Sequence, residues 1–221
     1  MVIVGHSMGG LLTKAMVSDS EEILLDAFLD SEKLTKKQIP DTEKEFLIEL
    51  LTFKSLTFVK RVVFMATPHR GSEMADWSIA RFGSSMISIP MKLNNKIHNI
   101  YNGMMIKAGL KEEELLPLED VNGIAALKPS NPILQEMAKL PIQQGTEYHS
   151  VIGDEDQAGN KNGSDGIVPY HSSHIEGVES EIVIESGHSV QHKNAAIQEI
   201  KRILLKHLSL SGLEHKYEPG K

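Results

Sequence analysis

Four short runs rich in β-branched and large apolar residues constrain this chain more than any other feature. They are Val2-Ile3-Val4, Arg61-Val62-Val63-Phe64-Met65, Tyr148-His149-Ser150-Val151-Ile152-Gly153 and Glu181-Ile182-Val183-Ile184-Glu185. Segments of helical spacing separate them. Short apolar runs of this kind read as strands buried in a parallel sheet. Strands alternating with helices imply an α/β fold with helices on both faces of a mostly parallel sheet. In such sheets ligands bind beyond the carboxyl ends of the strands. Gly5-His6-Ser7, the polar loop 154–166 and His188 all follow strand ends, so they are expected on one rim.

The helices can be placed from their apolar spacing and their caps. Leu11 to Val17 continues a turn into a helix. Residues 19–35 place Ile23, Leu24, Leu25, Phe28 and Leu29 at helical intervals. Asp41 or Thr42 is expected to cap a helix with Glu43 and Glu45 near its start and Phe46, Leu47, Leu50 and Leu51 on its apolar face. A last helix from Asn194 to Leu208 carries Ala195, Ile197, Ile200, Ile203, Leu204 and Leu208, with a polar, frayed tail from Gly212. Residues 84–140 hold amphipathic pieces punctuated by proline and are expected to form a helical lid. Met86, Met91, Met104, Met105 and Met137 lie there, suited to an acyl chain or to ordinary core packing.

Composition removes several classes. The 221 residues carry 23 Lys and Arg against 30 Asp and Glu, a formal charge of −7. An acidic chain with 5% aromatics is poorly suited to nucleic acid, whose phosphates are held by clustered Lys and Arg. A membrane helix would need a run of about 18 apolar residues, and none occurs. With no Cys there is no disulfide, thiolate nucleophile or cysteine metal site. His171 and His174 have metal-ligand spacing but no evident third ligand, so no metal or other cofactor is expected.

The chemistry lies at Gly5-His6-Ser7-Met8-Gly9, a G-x-S-x-G element directly after a strand and before a helix. That context is a nucleophile elbow. Gly5 and Gly9 let strand and helix approach, Ser7 stands at the apex, and the Met8 N–H points to where an oxyanion would form. The alternative is a glycine-rich turn that binds phosphate or simply packs. A serine hydroxyl needs a base and a carboxylate to orient that base. His188, in Ser-Gly-His-Ser after the fourth strand, is the base, with Gly187 giving the backbone its turn. Asp165, in Gly-Ser-Asp-Gly-Ile-Val-Pro, is set between two glycines just before an apolar anchor and is expected to be the acid rather than Asp154 or Asp156, which lie in a more mobile polar stretch. His6 is expected to pack or hydrogen-bond beside the elbow, His69 to make a structural hydrogen bond, and His192 to begin the last helix.

Gly-His-Ser-Met-Gly-Gly at 5–10, Ala-Thr-Pro-His-Arg-Gly-Ser at 66–72, Ser-Asp-Gly-Ile-Val-Pro at 164–169 and Ser-Gly-His-Ser at 186–189 together resemble a serine α/β-hydrolase. The resemblance is to lipase-like esterases related to the membrane-anchor (GPI) inositol deacylases and to bacterial triacylglycerol lipases. It implies Ser7 as nucleophile, Asp165 as acid, His188 as base and Met8 as one oxyanion donor. It also implies a small-molecule or lipid ester as substrate. Members of that family carry further strands and a His-Gly loop, which gives the second oxyanion donor, ahead of the nucleophile strand. Residues 1–221 are therefore expected to be one α/β-hydrolase domain without its N-terminal strands, a fragment of a longer chain. A rearranged small fold with Val2–Val4 at an edge is the alternative. The implied activity is hydrolysis of carboxylic esters. A non-catalytic binding module or inactive fragment, and an acyltransferase or thioesterase with the same triad, are the rivals.

Overall fold

In the computed structural model, residues 1–37, 39–73, 91–107, 109, 127–157, 159 and 161–210 are described. Of the expected lid, residues 84–90, 108 and 110–126 lie outside them, as does the tail from Gly212. The described chain runs β1 (Val2–His6), α1 (Met8–Met16), α2 (Ile23–Ser31), α3 (Asp41–Leu51), β2 (Arg61–Met65), α4 (Met91–Lys107), α5 (Pro132–Lys139), β3 (Glu147–Asp154), α6 (Tyr170–Ser173), β4 (Ser180–Glu185) and α7 (Asn194–Leu210). It divides into two units, one of residues 1–17, 56–68 and 143–221, the other of 18–55 and 69–142.

The first unit is a four-stranded sheet in the order β1-β2-β3-β4, with all three pairings parallel. The fold class is thus α/β. Strand alternation shows how its faces are covered. A Cβ on Gly5 would meet Thr13, Gly9 and Gly10, so that face of β1 lies under α1. Phe64 pairs with Gly5 in register and shares the face. Val63 and Met65 point the opposite way, into a core with Val151, Ile184, Val190, Ala196 and Ile203. The sheet therefore has a helix on each face.

Two expectations change here. All five residues of β2 are buried, whereas Val4 of β1 is exposed and Val2 and Ile3 are half-buried. The reason is position: β1 is an edge strand among the described residues, with a neighbour on one side. On α7 the buried residues are Ala196 and Ile203, while Ile197, Leu204 and Leu208 are exposed. The helix meets the sheet along a narrower stripe than its apolar content implies.

The second unit is helical. Leu24, Leu25 and Leu29 of α2, Leu47 and Leu51 of α3, Met104 and Met105 of α4 and Leu140 share one core. Met104 and Met105 are each 2% exposed, so these two methionines are core residues. Pro40, rather than Asp41 or Thr42, takes the cap position of α3, and no side chain caps it; Thr42 bonds Glu43 instead. Leu50 is exposed at the rim of the buried arc that Leu47 and Leu51 centre. Asn131 caps α5 by accepting from the Ile133 and Leu134 N–H groups, with Pro132 at the first helical position.

A buried polar network ties β2, β3, β4 and α7 together. Arg61, 2% exposed, donates to His149 Nε2 at 2.6 Å and pairs with Glu179. A guanidinium can only donate, so the His149 proton is on Nδ1 and is given to Ser180 Oγ at 2.7 Å. Ser180 in turn donates to Glu199 at 2.7 Å. Burial, reinforced by the Arg61 charge, pushes the His149 pKa down to about 4 from an ordinary 6.5. Between those values the unfolded chain binds a proton that the folded chain refuses, so stability falls as pH drops from about 6.5 to about 4. In His149→Gln this limb of a denaturant-midpoint-against-pH curve should flatten. An unchanged slope would show that His149 is not its source.

Candidate active site

The strand β1 ends at His6 and α1 begins at Met8, leaving Ser7 alone to turn the chain. Its backbone takes φ 54°, ψ −127°, a conformation costly for a residue with a side chain. The turn is held from several sides. The Ser7 N–H donates to the Met65 carbonyl at 2.8 Å, and Gly10 N–H donates to the Ser7 carbonyl at 2.9 Å. Behind the turn, Ala66 leaves β2 with φ 46° and donates to the Val151 carbonyl at 2.9 Å, which brings Thr67 against Gly10. A Cβ on Gly10 would collide with the Thr67 side chain, whereas a Cβ on Gly9 would meet nothing within 4 Å. The close approach expected at Gly9 is thus made at Gly10, because α1 turns Gly10 toward β2 and Gly9 away from it.

Asp165 comes from the loop after β3. Its Oδ1 accepts from the Ile167 N–H at 2.9 Å and the Val168 N–H at 2.7 Å, closing a tight turn. Ile167 and Val168 are buried and anchor that turn, and Gly166 takes φ 81°, which a side chain would strain. The other carboxylate oxygen, Oδ2, lies 2.9 Å from His188 Nδ1. Asp154 is not in a loose stretch: it is the last residue of β3, 1% exposed, and its Oδ1 accepts from the Asp156 and Gln157 N–H groups. Asp156 is exposed.

His188 follows β4. The Ser186 N–H is bonded to the Asp154 carbonyl at 2.8 Å, and Val190, fully buried, holds the chain on the far side. Gly187 has no left-handed φ, so its part is spatial, leaving room beside Glu155 and the Asp165 carbonyl. His188 Nε2 lies 2.8 Å from Ser7 Oγ. Since a carboxylate only accepts, Nδ1 carries the imidazole proton toward Asp165, and Nε2 accepts from the Ser7 hydroxyl. Asp165 and His188 are 2% and 8% exposed, so the pair is screened from water, while Ser7 is half-exposed. Met8 is the first residue of α1, a position whose N–H has no acceptor within the helix.

The structure therefore brings Ser7, His188 and Asp165 into one hydrogen-bonded line and puts Met8 beside it. His6 was expected only to pack or bond near the elbow. Its Nε2 lies 2.9 Å from the His188 carbonyl, and the two rings are 5.0 Å apart at 48°. Burial lowers its pKa, the nearby His188 ring adds to this, and the bond to the His188 carbonyl opposes it. Thr67 had no assigned part. Of the other histidines, His174 is bound by Glu181 and Glu176, His69 is buried in the second unit, and His192 ends a 3₁₀ turn ahead of α7.

No protein-family model and no curated protein matches the chain. Solved structures similar to it include the mature lipase of Bacillus licheniformis, at 14% identity and TM-score 0.45, with 93% of this chain and 65% of that one covered. The chain thus spans a little under two thirds of that lipase. They also include the Staphylococcus hyicus lipase, at 16% identity and TM-score 0.45, with 94% and 69% covered. Lipase 1 of Pelosinus fermentans matches at 14% identity and TM-score 0.41, with 92% and 71% covered. No helix among the described residues is long and apolar enough to cross a membrane.

The elbow geometry gives a direct test. Gly10→Ala should cost about 1–3 kcal/mol of stability, the usual range for overpacking a filled site. Thr67→Gly in the same chain should return much of it. Additive losses in a double-mutant cycle by denaturant unfolding would show that the two positions do not meet.

Proposed function

We propose that this chain is a serine hydrolase of carboxylic esters, working through an acyl-enzyme. Ser7 Oγ attacks the ester carbonyl carbon as His188 Nε2 takes its proton. Asp165 stays ionised and stabilises the imidazolium that forms. The Met8 N–H donates to the oxyanion. The C–O bond to the alcohol then breaks, and His188 returns the proton to the leaving oxygen. Water enters next; as His188 removes its proton, the water oxygen bonds to the acyl carbon, the C–Oγ bond breaks, and His188 returns the proton to Ser7 Oγ, releasing the carboxylic acid. Among the chain's own residues, none of these steps calls for a cofactor.

The single observation that carries the reading is that both ring nitrogens of His188 have a partner, Asp165 Oδ2 at 2.9 Å and Ser7 Oγ at 2.8 Å. Asp165 occupies Nδ1 of His188, which leaves Nε2 as an acceptor 2.8 Å from the one hydroxyl at the apex of a strained turn. A strained serine costs stability, and such strain clusters where it serves chemistry. The likeness of the four motifs to lipase-like esterases and inositol deacylases narrows the proposed substrate to small or lipid esters.

A chromogenic short-chain ester and a fluorophosphonate probe test this together. The wild-type chain should hydrolyse the ester and be labelled at Ser7. Ser7→Ala should lose both, and Asp165→Asn should slow both by about 10³–10⁴-fold, because the tautomer and orientation of His188 are lost. Equal turnover by wild type and Ser7→Ala would refute the proposal.

A further inference from the structure

We infer that His6 is a positioning residue that locks the base to the nucleophile, an inference that rests on the hydrolase reading above. Two independent features of the geometry support it. His6 Nε2 is 2.9 Å from the His188 backbone carbonyl, 182 residues away in the chain, and the His6 ring packs at 5.0 Å and 48° against the His188 ring. One side chain thus grips both the backbone and the imidazole of the base.

The chemistry of the contact fixes what His6 does. A carbonyl oxygen can only accept, so Nε2 of His6 carries a proton and donates it. A nitrogen committed in this way cannot take the Ser7 proton. The Ser7 hydroxyl lies 2.8 Å from His188 Nε2, so His188 takes the part of the base, although His6 is the histidine next to Ser7 in the chain. It is the last residue of β1, in register with Met65, whose carbonyl accepts the Ser7 N–H. The bond thus ties the frame of the nucleophile to the backbone of the base.

The loop that carries His188 needs such a tie. It is anchored before His188 by Ser186 on Asp154 and after it by buried Val190. His6 holds the point between these anchors. Proton transfer from Ser7 to His188 depends on their separation, and a misplacement of about 1 Å at a reacting centre can cost about 10²-fold in rate. The groups facing His6 fit a neutral donor. Burial is the strongest influence and favours the neutral ring, as do the rings of His188 and His192, while the bond to the His188 carbonyl and the Asp165 carboxylate act the other way. A neutral His6 also sets no like charge beside the imidazolium formed on His188 during the reaction.

Variants of the full chain test the inference. His6→Leu removes the donor and keeps apolar bulk. His6→Gln offers an amide N–H at about the reach of Nε2. With a chromogenic ester, His6→Leu should lower kcat about tenfold or more with KM unchanged, and should slow fluorophosphonate labelling of Ser7 in parallel. His6→Gln should recover kcat to within about threefold of wild type. Thermal unfolding of each variant separates loss of position from loss of fold. Equal losses in His6→Leu and His6→Gln, or no loss in either, would overturn the role assigned to His6. Ser7→Ala, run alongside, keeps the two claims apart. Activity in Ser7→Ala refutes the hydrolase reading and this inference with it, whereas a dead Ser7→Ala beside fully active His6 variants refutes this inference alone.

Discussion

The backbone turn at Ser7 is the constraint on which the rest of the first unit depends. One residue reverses the chain from β1 to α1, and it does so at φ 54°. Nothing local makes that conformation favourable. It persists because the Ser7 N–H is bonded to Met65, because Gly10 lets α1 lie against Thr67, and because Ala66 bends β2 away in its own left-handed turn. The cost is thus offset across two strands and a helix. The consequence is a hydroxyl held out from the end of the sheet, with the first helical N–H beside it.

The partners of that hydroxyl are fixed by different means. Asp165 is held by its own neighbours, since its carboxylate bonds two N–H groups just ahead of it and buried Ile167 and Val168 hold those in turn. His188 is held from a distance, by Asp165 on its ring and by His6 on its carbonyl. A local turn and two long-range contacts converge on an imidazole whose proton position follows from what surrounds it. The second buried network serves a structural end: burial, reinforced by the Arg61 guanidinium on one nitrogen, leaves His149 neutral, and its other nitrogen bonds the Ser180 hydroxyl.

What the sequence by itself determined is the set of features that short-range physics controls. The β-branched runs became parallel strands. The glycine-flanked serine became the turn between strand and helix. Asp165 could be singled out because a carboxylate set between Gly163 and Gly166, ahead of an apolar anchor, forms its own turn. Apart from the meeting of Ser7, Asp165 and His188 that the motifs lead one to expect, side-chain contacts between distant segments were decided by the tertiary structure. Spacing could not tell Gly9 from Gly10, because that choice depends on where Thr67, over fifty residues away, comes to rest. Nor could it reveal that His6 grips His188, that Asp154 is buried, or that Met104 and Met105 close a helical core. Val4 became exposed and the outer leucines of α7 stayed in solvent for the same reason. Periodicity states which residues are apolar, but burial depends on what the rest of the chain brings against them.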